Sequence, residues 1–303
     1  MPRSRCVASP ALLALVVLFG LTPIAGARDR ADCEREFQPQ IGQTGKNVIW
    51  LPTPDAQVEE MLTLADVGSS DVVFDLGAGD GKIAIAASKR GARAVGIEYD
   101  ETMARFAQCN VEAEGAGRRA KIVQGDIFKE DFSRATVVTM YLLPELNLCL
   151  RHRLLAMRPG TRVASHQFMM EDWKPDVRSQ RGSAYLWIVP ARVAGDWTFE
   201  SASGMPQALR FTQQFQNVAG EFVDDGESRP VSEVSLLGDQ LRFVVPDGWR
   251  GPWRFEGTVR GDAIVGTLQR GNESVESTAR RRGDAPRADW AEMPDKCREY
   301  YAS

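Results

Sequence analysis

Only two histidines, His152 and His166, occur in 303 residues, and the five cysteines show no metal-ligand spacing. A zinc centre is therefore not expected. Basic runs are scarce as well. Apart from Arg280-Arg281-Arg282 no stretch approaches a nucleic-acid arm, and the formal net charge is −4. Such a triplet reads as a solvated strand end, so nucleic acid is not expected as a partner. The apolar run Ala11 to Leu21 is too short to span a bilayer comfortably. What is present is ordinary globular composition, 43% hydrophobic and 26% charged, with length enough for two domains.

Residues 1–27 read as a signal peptide. Arg3 and Arg5 precede the apolar run, and Ala25-Gly26-Ala27 supplies small residues for cleavage. Losing both arginines takes the charge from −4 to −6. The expectation is an exported or periplasmic protein; the alternative is an uncleaved inner-membrane anchor, the one case in which a membrane is a partner. Cys109 and Cys149 fall in helical-looking segments and are expected as buried thiols. Cys33 and Cys297 stand near the two mature ends in polar surroundings. They are read either as a bridge in an oxidising compartment or as free surface thiols.

The chain is organised around Val72-Val73-Phe74-Asp75-Leu76-Gly77-Ala78-Gly79-Asp80-Gly81-Lys82. An apolar run ends in an acid, passes three alternate glycines and enters the amphipathic stretch Ile83 to Arg90: strand, tight turn, helix start. Glycine lets a ligand approach the backbone, and free N–H groups at the helix start would attract negative charge. A dinucleotide fingerprint, G-x-G-x-x-G from Gly77, fails because position 82 is Lys82. A second apolar run, Ala94 to Ile97, ends in Glu98, 23 residues after Asp75.

Asp75-x-Gly77-x-Gly79-x-Gly81 followed by Glu98 resembles the cofactor site of class I S-adenosylmethionine (SAM) methyltransferases. The likeness runs from Val48 to about Asp176. It is closest to bacterial members of unassigned substrate, with a fainter likeness to seven-strand protein-lysine methyltransferases carried by Pro52-Thr53-Pro54 and Asp75-Leu76-Gly77. The resemblance implies that Gly77 and Gly79, with Gly81 of the same motif, lie at the cofactor, Asp75 near its amino-acid end. It implies Glu98 on the ribose hydroxyls, Asp126 on the adenine amine, Ile127 against the ring, and Thr53 near the carboxylate. Thr53 also reads as a plain helix cap with Pro54 in the first turn, and Asp126 as a turn residue. Where the lysine methyltransferases usually have asparagine, this chain has Asp100, so their substrate is not carried over.

Ala135 to Tyr141 reads as a strand buried on both faces, and Tyr141-Leu142-Leu143-Pro144 follows at its carboxyl end. Tyr141 is the candidate to orient an amine or hydroxyl acceptor, or else a packing residue; His166 and Asp172 are read as structural. From about Gly182 short alternating runs and glycine turns indicate an antiparallel sheet, half-barrel or barrel. Trp187, Trp197, Trp249 and Trp253 are expected in its core rather than in a groove.

The expected division is thus a signal peptide (1–27), a surface segment (28–47), a doubly wound, mostly parallel α/β SAM-binding domain (48–181), an antiparallel β-rich domain (182–283) and a tail (284–303). The expected function is SAM-dependent methyl transfer to a small-molecule or protein acceptor, protein lysine included. The alternative is an exported, non-catalytic SAM- or small-ligand-binding protein whose β domain is the binding module.

Overall fold

A computed structural model describes residues 28–43, 49–200, 208–224, 227–246 and 251–302. The expected signal peptide and Trp249 lie outside them. The chain opens with α1 (Arg30–Glu36), whose N-terminus carries a reciprocal Asp29–Asp32 capping box, and α2 (Asp55–Leu64). Pro54 occupies the α2 cap position without a side-chain bond, so Thr53 lies one residue outside and is not the cap.

There follow β1 (Val72–Leu76), α3 (Lys82–Lys89), β2 (Arg93–Glu98), α4 (Glu101–Ala113), β3 (Ala120–Gln124), β4 (Val137–Met140), α5 (Pro144–Leu155), β5 (Arg162–His166), β6 (Val177–Arg178) and β7 (Ala184–Ile188). The sheet order is β3-β2-β1-β4-β5-β7-β6. Strands β1 to β5 pair in parallel, and β7 is antiparallel to both β5 and β6. The run at 184–189, read from the sequence with the antiparallel half, therefore belongs to this sheet.

Strand period sorts the core into two layers. Val73, Ala94, Ala120, Val137, Ala164 and Ala184 face α2 and α3, while Phe74, Val95, Ile97, Val138, Met140 and Val163 face α5. Small side chains on the first face admit close helices. At Gly96 even a Cβ would come within 2.6 Å of the Ala78 Cβ and 2.7 Å of Ile122. Asp100 caps α4 by accepting from the Met103 N–H at 2.8 Å, and Pro144 opens α5.

The second sheet contains β8 (Gly195–Glu200), β9 (Ala208–Gln214), β10 (Asn217–Asp224), β11 (Glu227–Pro230), β12 (Ser232–Leu237), β13 (Gln240–Val245), β14 (Trp253–Arg260), β15 (Ala263–Arg270) and β16 (Glu273–Arg282). They pair antiparallel in the order β11-β10-β9-β8-β16-β15-β14-β13-β12. The sheet is almost a barrel: Val231, which joins the edge strands β11 and β12, donates its N–H to the Gly220 carbonyl of β10 at 2.9 Å. Trp197, Phe199, Phe211, Phe243, Phe255 and Trp253 fill its interior, as expected of core tryptophans. Trp187 is buried too, but in the first core. The arginine triplet does end a strand, yet Arg281 is not solvated. It lies against the Trp197 ring and donates to the Arg192 and Ala194 carbonyls.

The two halves meet at the tip of the β9–β10 hairpin. Phe215 (φ 55) is buried in the first core, 6.0 Å from Trp173 in a stacked pair and 5.1 Å from Trp290 of the tail. Gln216 accepts from Trp173 Nε1 at 3.0 Å and donates to the Lys174 carbonyl at 2.7 Å.

The cysteine expectations are overturned. Cys33 bonds Cys109, tying α1 to α4, and Cys149 bonds Cys297, tying α5 to the turn before α6 (Arg298–Ala302). A buried cysteine in a helical pattern looks like a free thiol when its partner comes from a distant, polar segment, as both partners do here. Peptide mapping without reduction is expected to recover 33–109 and 149–297 linked fragments, a 33–297 fragment being the contrary result. Phe215→Ala is expected to cost about 3–5 kcal/mol in denaturant unfolding, as for other fully buried phenylalanines.

Candidate functional site

β1 lies between β2 and β4, where the strand order reverses and open α/β sheets hold their ligands. The chain leaves β1 through Gly77 (φ 79), Gly79 (φ 53) and Gly81 (φ 80), all left-handed, which explains glycine at alternate positions. The turn is held from within. The Gly77 and Ala78 N–H groups both donate to the Ile97 carbonyl at 2.9 Å, and Gly81 N–H donates to the Ala78 carbonyl at 2.9 Å. Gly79 N–H donates to Glu98 Oε2 at 2.8 Å. These amides, expected from the sequence to attract an anion, are already engaged, and no phosphate cradle remains among them.

Thr53, Asp75, Gly77, Gly79, Glu98, Asp126, Ile127 and Tyr141 line one cleft at the carboxyl ends of the parallel strands. Gly81 does not. It starts α3, and a Cβ there would meet the Ala107 carbonyl at 3.2 Å, so its task is close packing of α3 on α4.

Asp75 is fully buried. Its Oδ1 accepts from the Thr139 hydroxyl at 2.8 Å, while Oδ2 has no partner among the described residues. Burial, and secondarily the Asp80 and Glu98 charges, push its carboxyl up to about 7 against the pull of the Thr139 bond. Glu98 is also raised by burial, opposed by backbone bonds from Asp100 and Gly79. Its Oε1 accepts from the Asp100 N–H at 3.0 Å, so one carboxylate joins two turns. Asp126 Oδ1 accepts from the Phe128 N–H at 2.9 Å, which turns the chain so that Ile127 and Phe128 form the adjacent wall.

Tyr141 stands at the end of β4, edge-on to His166 at 4.4 Å and stacked on Phe168. Its hydroxyl donates to Gln167 Oε1 at 3.2 Å. Gln167 (φ 64) lies in a tight turn closed by a 2.7 Å bond from Phe168 N–H to the His166 carbonyl, an uncommon conformation for a non-glycine residue. His166 Nδ1 bonds the Ser183 carbonyl and burial lowers its pKa, while Asp172, expected to be buried, is exposed and pairs with Arg151.

Sequence reasoning missed Trp50, Lys82, Thr139 and Gln167. Lys82 Nζ donates to the Thr53 carbonyl at 3.1 Å and pairs with Asp55 at 2.8 Å, fastening the Pro-Thr-Pro segment over the cleft. The signal for it was a lysine immediately after the glycine motif and an acid immediately after the prolines.

The cleft suits a ligand rich in donors and positive charge. Among the described residues, five carboxylates (Asp75, Asp80, Glu98, Asp100, Asp126) line it against one lysine, Lys82. A SAM ammonium, sulfonium, ribose hydroxyls and adenine amine all match such acceptors, whereas a pyrophosphate would be repelled. The orphan Asp75 Oδ2 completes the fit, and the space a side chain at Gly77 or Gly79 would need is taken by Leu142 and Trp50.

Residues 75–177 match the family described as the ANTKMT methyltransferase domain. A protein-lysine N-methyltransferase from Saccharolobus islandicus (strain REY15A) is 45% identical over 152 residues, 47% of this chain and 94% of that protein. The adenine nucleotide translocase lysine N-methyltransferase of Mus musculus is 29% identical over 152 residues, 50% of this chain and 65% of that protein. An RNA methyltransferase from Salinibacter ruber, solved with S-adenosyl-L-homocysteine, is 45% identical, covering 47% of this chain and 96% of that one, with a TM-score of 0.46.

The raised Asp75 pKa fixes a sign. Between pH 3.8 and about 7 the folded chain keeps a proton that the unfolded chain has lost, so stability falls with rising pH and levels off above 7. The drop attributable to this group is on the order of 4 kcal/mol. Asp75→Asn should abolish that slope in pH-dependent unfolding. SAM binding near pH 6.5 should release up to about one proton in calorimetry across buffers, and none in Asp75→Asn.

Proposed function

The chain belongs to the class I SAM-dependent methyltransferases, and from that premise we propose that its acceptor is the ε-amino group of a protein lysine. The observation that carries the reading is the excess of carboxylates around a cleft that Tyr141 also lines, which favours entry of a cationic side chain. The 45% identical relative, a protein-lysine N-methyltransferase matched over 94% of its length, supports it.

When bound, SAM supplies a methyl group already activated on a sulfonium. The protein's work is then to bind, align and exclude water. Asp75 and Glu98 offer carboxylate acceptors at the glycine turn, and Asp126 with Ile127 forms the adenine side. Tyr141 directs its own proton to Gln167, so the lone pairs of Oη are available to accept an N–H of the incoming amine and orient it. His166 and Phe168 hold the ring in place. The two disulfides support an exported location, since such bridges form and persist in oxidising compartments.

Labelled SAM with lysine-containing peptides, and with the same peptides carrying arginine or serine instead, tests the acceptor. Label is expected only with lysine and recoverable as methyl-lysine. Transfer to serine would move the acceptor class, and SAM binding without transfer to any acceptor would favour the non-catalytic alternative. Tyr141→Phe is expected to lower kcat about 10- to 100-fold, as for loss of one well-placed hydrogen bond, with SAM affinity unchanged.

A further inference from the structure

The glycine turn is not open on its outer side. A Cβ built on Gly79 would lie 2.7 Å from Trp50 Nε1 and 3.2 Å from Trp50 Cδ1. The indole therefore lies directly against the middle glycine, and it lines the same cleft as Asp75 and Glu98. Its Nε1–H has no hydrogen-bond partner among the described residues. An indole with an unused donor in a cleft that a buried carboxylate also lines is suited to a cationic ligand, which gains from both the carboxylate and the π face.

Trp50 is carried on a strap rather than on the sheet. Its N–H donates to the Gln43 carbonyl at 2.8 Å and its carbonyl accepts from Gly42 N–H at 2.9 Å, so it is bound to the segment that follows α1. That segment has two anchors on the α/β core. One is Lys82, which bonds the Thr53 carbonyl and Asp55. The other is the Cys33–Cys109 bridge between α1 and α4. A helix as short as α1, seven residues, has little stability of its own, and its aromatic contact is Phe37 edge-on to Phe106 at 5.7 Å. Cys33, Met103, Phe106 and Cys109 form one buried cluster against which Trp50 packs, and Met103 also lines the cleft. The bridge and the cleft thus share two side chains.

We propose that Trp50 is a cofactor-contacting residue of the SAM cleft and that the Cys33–Cys109 bridge holds it in place. The inference rests on the SAM reading above and adds to it a binding residue and a covalent tether. Three consequences separate this from a purely structural strap. The bare side of Gly79 is matched to an indole, so a smaller ring should serve in part and a methyl group should not. The bridge acts through Trp50, so removing both should do no more than removing the indole. The indole is a reporter of its own site.

The test is calorimetric titration of the full oxidised chain with SAM, in wild type, Trp50→Phe, Trp50→Ala, Cys33→Ser/Cys109→Ser and the combined Trp50→Ala triple variant. Thermal melting of each establishes that it is folded. Trp50→Ala is expected to weaken SAM binding by about tenfold, Trp50→Phe by less, and the cysteine pair by an intermediate factor. The triple variant should match Trp50→Ala, the non-additivity expected of coupled groups. SAM should also change the intrinsic fluorescence of the wild type, and that change should be missing from Trp50→Phe. Unchanged affinity in folded Trp50→Ala overturns the contact, and additive losses in the triple variant overturn the tether. A wild-type chain that binds no SAM overturns the cofactor reading together with this one.

Discussion

Glu98 is the carboxylate on which the site's geometry depends. It ends β2 two residues beyond the Gly96 that pairs with Asp75, and its two oxygens take backbone N–H groups from two separate turns, at Gly79 and Asp100. Bonds from N–H to an ionised acceptor are roughly twice as strong as neutral ones, so this clip holds the glycine turn against the start of α4. It also decides what the turn presents. With these amides spent on Ile97, Ala78 and Glu98, the loop does not offer them to the cleft as donors. The same run of glycines that elsewhere cradles phosphate here makes room for a bulky, donor-rich cation.

That choice sets the electrostatics. Gathering five carboxylates around a half-closed cleft costs stability, and the cost is concentrated at Asp75, where one oxygen has no partner. A charge left unmatched in the core is characteristic of a site kept ready for a ligand, because a bound cation restores what burial removes. Burial, which raises the Asp75 pKa, makes folding sensitive to the proton on this carboxyl. Thr139, buried on the neighbouring strand, tempers the cost by donating its hydroxyl to Asp75.

The parallel half was legible because its signals are local. A β-branched run such as Val137-Val138-Thr139 is buried on both faces, and the spacing of Glu98 from Asp75 follows directly from one strand–helix–strand unit. Elsewhere the determinants are not local. β11 is exposed at every position, and β16 carries few apolar residues; both are strands because backbone pairing with neighbours makes them so. The 184–189 run has the same alternation whichever sheet it joins, and only the partner strand β5 decides. Cysteine pairing was illegible for a related reason. Two bridges span 76 and 148 residues, and each joins a helix to a segment with no apolar pattern of its own. Gln167 and Trp50 escaped notice because turn strain and an indole's position over a glycine exist only once the chain is folded.

The additions to the α/β core converge on the cleft from both sides. On one side the first bridge holds the strap beside Gly79. On the other, the second bridge holds the tail, where Tyr301 donates to the Cys149 carbonyl at 2.9 Å and Tyr300 and Tyr301 both pack on Phe128. Phe128 is itself a wall of the cleft, and Arg153 fixes the same loop through the Ile127 and Glu130 carbonyls. The β half enters this arrangement through Phe215, whose neighbours Trp173 and Trp290 belong to the first sheet's loops and to the tail. The near-barrel's interior is filled by its own aromatic side chains, and it meets the rest of the molecule through that hairpin tip, the tail packed beside it, and the β12–β13 turn, where Gly238 lies against Gly160. Rigidity at the ligand wall is thus drawn from covalent links and stacked rings placed outside the α/β core, and a change in any of them reaches the cleft through Phe128 or Trp50.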